Sequence, residues 1–193
     1  SEPSNGRTVD VFYGKSIAPG FFAWRIPRGK SVEYGLASKN ISSKNSSLKS
    51  IFSKNISSKS VSSKNHIYYF KKFLKQHKRE FGKFYSHPIV FGVQDTAGDR
   101  VILVGDAALQ VKPFSGGGVI DGLICAKIAA KAIVGAFKKN DFSKANFKKN
   151  YDSVWKKKLA EPIENGKLIR EMLNFFDDNE LHAFFELAGK RKG

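Results

Sequence analysis

Asp106 has the setting that most suggests chemistry in this sequence. It follows the aliphatic run Val101-Ile-Leu-Val104 and Gly105, and it comes shortly before Pro113 and the cluster Ser115-Gly-Gly-Gly118. A continuous β-branched and aliphatic run predicts a short strand covered on both faces. A carboxylate at the end of such a strand stands where open α/β sheets meet ligands, and it can accept hydrogen bonds from sugar-like hydroxyls. Pro113 fixes the approach of the turn, and Gly116, Gly117 and Gly118 let the backbone come close to a planar group without Cβ interference. The small-residue segment after Gly118 predicts a helix whose first N–H groups are unpaired and partly positive. Such groups suit an anion developing on a ring edge, as at N1/O2 of a reduced flavin. A plain strand–turn–helix is the competing reading of Gly105-Asp106 taken alone.

The whole string from Gly105 to Gly118 resembles the GD motif of FAD-dependent reductases and hydroxylases of the glutathione-reductase type. More closely, it resembles the geranylgeranyl reductase family, which includes archaeal digeranylgeranylglycerophospholipid reductases. The resemblance implies FAD as cofactor, with Gly105 and Asp106 at its ribitol. It also implies that Gly116, Gly117 and Gly118 face the isoalloxazine and that Pro113 shapes the turn.

A second motif lies upstream. Ala18-Pro-Gly-Phe-Phe-Ala-Trp-Arg-Ile-Pro27 and Gly35-Leu-Ala37 read as two strands joined by a polar turn at Arg28-Gly-Lys-Ser31. Aromatic residues lining one sheet face would make a long apolar slot, or simply an ordinary sheet core. The segment resembles the reductase family's aromatic-x-Trp-x-Phe-Pro…Gly-x-Gly signature, with Phe22, Trp24, Pro27 and Gly35 matching. Ile26 stands for the usual Phe, and Ala37 for the last Gly. The resemblance implies that these four residues bind a geranylgeranyl lipid substrate beside the flavin.

At the level of elements, the resemblance implies an α+β chain that is the C-terminal part of a glutathione-reductase-type (hydroxylase-like) FAD-binding fold. Residues 1–98 would form a mainly antiparallel substrate sheet, residues 99–139 the GD-motif strand and helix, and residues 140–193 a C-terminal helical region. Pro88 to Val93 reads as a further strand. In the helix after Gly118, Asp121, Lys127, Lys131 and Lys138 mark a narrow wet stripe on an otherwise buried rod. Ile67, Phe70, Phe73 and Leu74 form a helical apolar stripe. Two later helices are expected near 143–159 and 162–187, with Pro162 in the first turn of the second. The Trp155-Lys-Lys-Lys158 cluster is a candidate bilayer contact or a solvated face.

Between positions 38 and 65 the sequence repeats with a period of five and places lysines at Lys39, Lys44, Lys49, Lys54, Lys59 and Lys64. Five fits neither helix nor strand, so a disordered insertion is expected. These six lysines explain only part of the net charge of +17. The remaining surface should still attract polyanions, above all an anionic membrane. No nucleic-acid partner is expected, because the basic residues fall in no recognised motif. The histidines show no ligand spacing, so no metal is expected. One cysteine and no spanning segment of ~20 apolar residues suggest a cytoplasmic protein peripheral to the membrane.

No GxGxxG fingerprint precedes the tryptophan motif, so a dinucleotide-binding half is expected elsewhere, and the isolated chain should hold FAD weakly. The electron donor, whether ferredoxin, a deazaflavin or a nicotinamide, is left open, as is the catalytic proton donor. Two rival readings stand beside the reductase. One is another GD-motif flavoprotein of hydroxylase or halogenase type; the other is a non-catalytic basic module that binds membrane or nucleic acid.

Overall fold

A computed structural model of the chain describes residues 8–39 and 66–190, so the repeat from position 40 onward lies outside it. The architecture is α+β, in two compact units: Ser1–Phe84 with Asn174–Gly193, and Tyr85–Leu173.

In the first unit, strands β1 (Asp10–Tyr13), β2 (Phe22–Arg28) and β3 (Ser31–Leu36) form an antiparallel sheet in that order. The polar turn joins β2 to β3 as expected, with Gly29 in the left-handed region at φ +64°. Strand β1 was not anticipated. Pro27 pairs with Val32 of β3 but lies beyond Arg25, the last β2 residue to pair with β1. A residue without an N–H is tolerated where one neighbour has ended.

Side-chain alternation gives this sheet two different faces. Ala23 is fully buried with Ala18 and Phe73, and Phe12 and Leu36 pack alongside. Phe73 and Leu74 are the buried residues of helix α1 (His66–Gln76), the expected apolar stripe. The opposite face carries Phe22, paired with Tyr13, and Trp24, paired with Gly35. The last helix, here α5 (Asp178–Lys190), belongs to this unit. Asp177 begins it with a capping box: its carboxylate accepts the Asn179 and Glu180 N–H groups at 2.8 and 2.9 Å. The Glu180 carboxylate accepts the Asp177 N–H at 2.7 Å. Asp178 also accepts the Lys15 N–H at 2.7 Å, and Phe185 lies 4.3 Å from the Tyr13 ring.

The second unit corrects five expectations. The run Val101–Val104 is not a doubly covered strand. Only Val101–Ile102 (β5) is extended, paired antiparallel with Ala97–Gly98 (β4). Ile102 and Val104 pack inward, while Val101 and Leu103 are exposed, so the run alternates as a one-sided strand does. Pro88–Val93 forms no strand, and Ile89 and Val90 are exposed.

Helix α2 (Val119–Lys139) begins where expected, with Gly118 as its N-cap, but it is not a buried rod. Its buried line is Asp121, Cys125, Ala129, Ala132 and Ala136, whereas Val119, Ile120, Leu123, Val134 and Phe137 are exposed. Small residues face the core because they allow close approach, and the large aliphatics are left outside.

The helix break also differs. Residues 144–173 run helical without interruption, as α3 (Lys144–Phe147), a π-type turn (Lys148–Asp152) and α4 (Ser153–Leu173). Pro162 lies inside α4, and the break falls at 174–177 instead. Trp155 and Ile163, on either side of Pro162, are buried in one cluster with Tyr151, Phe147 and the α2 alanines. That packing outweighs the hydrogen bond proline cannot make. Trp155 is therefore core and contacts no bilayer; its indole N–H donates to Thr96 Oγ1 at 2.7 Å.

Candidate functional site

The strand–loop–helix around Asp106 is built from backbone that only a few residue types allow. Gly105 adopts φ +70° and opens a 3-10 turn, Gly105–Ala108, which Leu109 closes at φ 58°. Asp106 is exposed, and its carboxylate makes no hydrogen bond or ion pair with the described residues. It lies against Gly118: a Cβ on Gly118 would stand 2.5 Å from Asp106 Oδ1 and 3.2 Å from Val111 Cγ2. Glycine at 118 is thus a steric condition for the carboxylate's place.

The turn between them is closed by Gly116 N–H to the Lys112 carbonyl at 2.8 Å and Lys112 N–H to the Gly117 carbonyl at 3.2 Å. Gly116 takes φ +69°. No side chain caps the start of α2, so its first amides are left to other partners. Asp121 is buried in that first turn, where a carboxylate complements the positive end of the helix.

Behind the loop, residues that sequence reasoning missed hold it from the long helix. Arg170, buried in α4, donates to the Pro113 carbonyl at 2.9 Å and also to the Phe114 carbonyl. Gly166, one turn earlier, lets Pro113 pack on the helix: a Cβ there would be 3.2 Å from Pro113 Cδ. Gln110 and Tyr151, both fully buried, join the Gly105 amide to the Leu103 carbonyl. Next to Tyr151, buried Asp152 accepts both the N–H and the hydroxyl of Thr96, at 2.9 and 2.7 Å, and pairs with Lys156 at 2.8 Å. Burial pushes the Asp152 carboxyl up, but the hydrogen bonds from Lys156 and Thr96 together outweigh it and hold it below the ordinary range. The one available signal was the four-residue spacing of Tyr151, Trp155, Leu159 and Ile163 through a lysine-rich segment.

Cys125, on the buried line of α2, is pushed up to about 11 by burial and so stays a thiol. It packs in the cluster with Ala129, Tyr151 and Trp155.

Of the expected substrate residues, the sheet brings three together. Trp24 covers Gly35, where a Cβ would fall 2.1 Å from the indole ring. Phe22 meets Trp24 edge-on at 5.9 Å, and the indole N–H reaches Glu33 Oε1 at 3.4 Å. Pro27 alternates to the other face.

No family model matches the chain. Curated relatives do. A digeranylgeranylglycerophospholipid reductase from Methanocaldococcus jannaschii is 28% identical over 191 residues, covering 94% of this chain and 43% of that protein. One from Methanothermobacter thermautotrophicus is 28% identical over 189 residues, covering 95% of this chain and 44% of that one. Digeranylgeranylglycerophospholipid reductase 1 of Methanopyrus kandleri is 39% identical over 97 residues, half of this chain and 26% of that protein. Over almost its whole length the chain is similar in sequence to digeranylgeranylglycerophospholipid reductases.

Its likeness to these reductases extends through both units, since the longer matches take in almost the whole chain. The chain spans less than half the length of the reductases it matches. Among solved structures, a geranylgeranyl bacteriochlorophyll reductase-like protein from Thermoplasma acidophilum superposes with a TM-score of 0.65 at 22% identity. That match covers 89% of this chain and 40% of the other, and the likeness is one of fold.

Proposed function

We propose that this chain is the C-terminal part of an FAD-dependent reductase that saturates the isoprenoid double bonds of geranylgeranyl lipids in archaeal membranes. The observation that carries the reading is the unengaged Asp106 carboxylate lying on bare Gly118 at the open start of α2. The residues fit a flavin nucleotide: a carboxylate acceptor for ribitol hydroxyls, a glycine surface for a flat ring, and unpaired amides for its polar edge. Bound FAD would supply the hydride that an isolated alkene needs. Asp106 and Gly105 would orient the ribitol, and Gly116, Gly117 and Gly118 would allow close approach of the ring. Pro113, held by Arg170, would fix the height of that turn. Phe22 and Trp24, the latter seated on Gly35, would offer the prenyl chain an apolar, water-excluding face.

A net charge of +17 supports working at an anionic lipid surface. No helix among the described residues is long and apolar enough to cross a membrane. The lipid would therefore be met from the bilayer surface.

The test is to co-produce the chain with the part of the Methanocaldococcus relative that lies outside the match. Flavin absorbance of the purified pair is recorded first. A reduced geranylgeranyl phospholipid is then sought by mass spectrometry, with dithionite as electron source. Bound flavin and stepwise mass gain are expected; a pair that purifies intact without flavin would rule the reading out.

A further inference from the structure

The loop presenting Asp106 is tied from behind by a closed ring of hydrogen bonds. Gly105 N–H donates to Gln110 Oε1 at 2.8 Å, Gln110 Nε2 donates to Tyr151 Oη at 3.0 Å, and the Tyr151 hydroxyl donates to the Leu103 carbonyl. The Gln110 backbone N–H returns to the Gly105 carbonyl at 3.1 Å. Each donor in the ring meets an acceptor, which also fixes which way the Gln110 amide points.

Both side chains are fully buried, and a buried amide and hydroxyl are costly wherever one of their groups goes unmatched. Here they are matched only while 103–106 keeps this backbone. Burial holds the Tyr151 phenol above its ordinary range, so the hydroxyl keeps its proton and remains a donor. Leu109 closes the same turn from the left-handed region, which side chains other than glycine enter against their preference. The conformation is thus imposed by the surroundings and is not the loop's own choice.

We propose that Gln110 and Tyr151 are positioning residues for the flavin: they preset the Leu103–Asp106 backbone so that the Asp106 carboxylate is held in place on Gly118 before the cofactor arrives. The inference rests on the reading of Asp106 and 116–118 as a flavin site, and it gives a role to the long helix, for which the family motifs provide none.

The experiment uses the co-produced pair. Tyr151→Phe keeps the ring and removes only the hydroxyl. FAD affinity should fall by about tenfold, the equivalent of one lost buried hydrogen bond, and the visible circular dichroism of the bound flavin should change. Ser143→Ala is the comparator. It removes the Ser143 hydroxyl that caps α3 through Asn146 N–H, so it lowers Tm without moving either flavin readout.

If Tyr151→Phe lowers Tm yet binds FAD with wild-type affinity and dichroism, the positioning role is overturned and the flavin site stands. If the wild-type pair binds no flavin, both fall together. If Tyr151→Phe does not fold, hydrogen exchange on the wild-type pair decides. Protection of the Gly105 amide before FAD is added supports a preset loop, and free exchange there overturns it.

Discussion

At Gly118 the lack of a Cβ decides whether the Asp106 carboxylate can hold its place. Gly118→Ala would drive a methyl to within 2.5 Å of Asp106 Oδ1 and 3.2 Å of Val111, so the carboxylate must leave its place. Gly117→Ala is the matched control. Its Cβ would meet only the Ser115 hydroxyl, at 3.3 Å, and its backbone φ is not among the positive ones. We expect Gly118→Ala to lower stability by about 1–3 kcal/mol, as overpacking does, and to abolish flavin retention by the co-produced pair. Gly117→Ala should leave the melting temperature nearly unchanged. Equal melts for the two variants would contradict the steric account. The same logic holds at Gly35, where Trp24 occupies the space of a side chain. There Gly35→Ala should change the indole fluorescence of the folded protein, and an unaltered spectrum would count against the overlap.

The π-type turn is the element that ties the 96–105 segment to the long helix, since Asp152 takes Thr96 and its neighbour Tyr151 takes Leu103. Its carboxylate sets a pH dependence whose sign follows from the depressed value. The unfolded Asp binds its proton more readily than the folded one, so the stabilisation is present above the ordinary value of 3.8 and is lost as pH falls through the folded value below it. Wild type should therefore lose melting temperature in that acid window, and Asp152→Asn should lose less of it there. At neutral pH the variant should be weaker by about 1–3 kcal/mol, because Lys156 and Thr96 lose a charged partner. Thermal melts across the acid range decide, and parallel pH profiles would show that Asp152 is not the group responsible.

This element was also the least legible in the sequence. Pro162 is the strongest local helix breaker in the region, yet burial of Trp155 and Ile163 carries the helix through it, and no local rule weighs that packing. By contrast Asp177 and Glu180 spell a capping box at the true break, a signal present in the residues but overshadowed by the proline. Gly118 was readable as a helix start and the turn at Gly29 as a hairpin, because glycine's freedom is local. The one-sided covering of Val101–Val104 was not, since an aliphatic run looks the same whether one face or two are buried.

At the scale of the whole molecule, two opposed features coexist: a net charge of +17 and a helix that turns Ile120, Leu123, Val134 and Phe137 to solvent. Like charge keeps copies apart over a screening length of about 8 Å at physiological ionic strength, and that distance shrinks as salt is added. Contact between these exposed apolar side chains has no such dependence on small ions until salting-out sets in. The colloidal behaviour of the purified chain should therefore run opposite to that of most basic proteins: dispersed in dilute buffer, and increasingly self-associated as sodium chloride rises. Light scattering along a salt series would show it. Leu123→Lys with Phe137→Lys should abolish the effect, so the exposed large side chains of α2 would also dictate the buffer in which the protein can be handled.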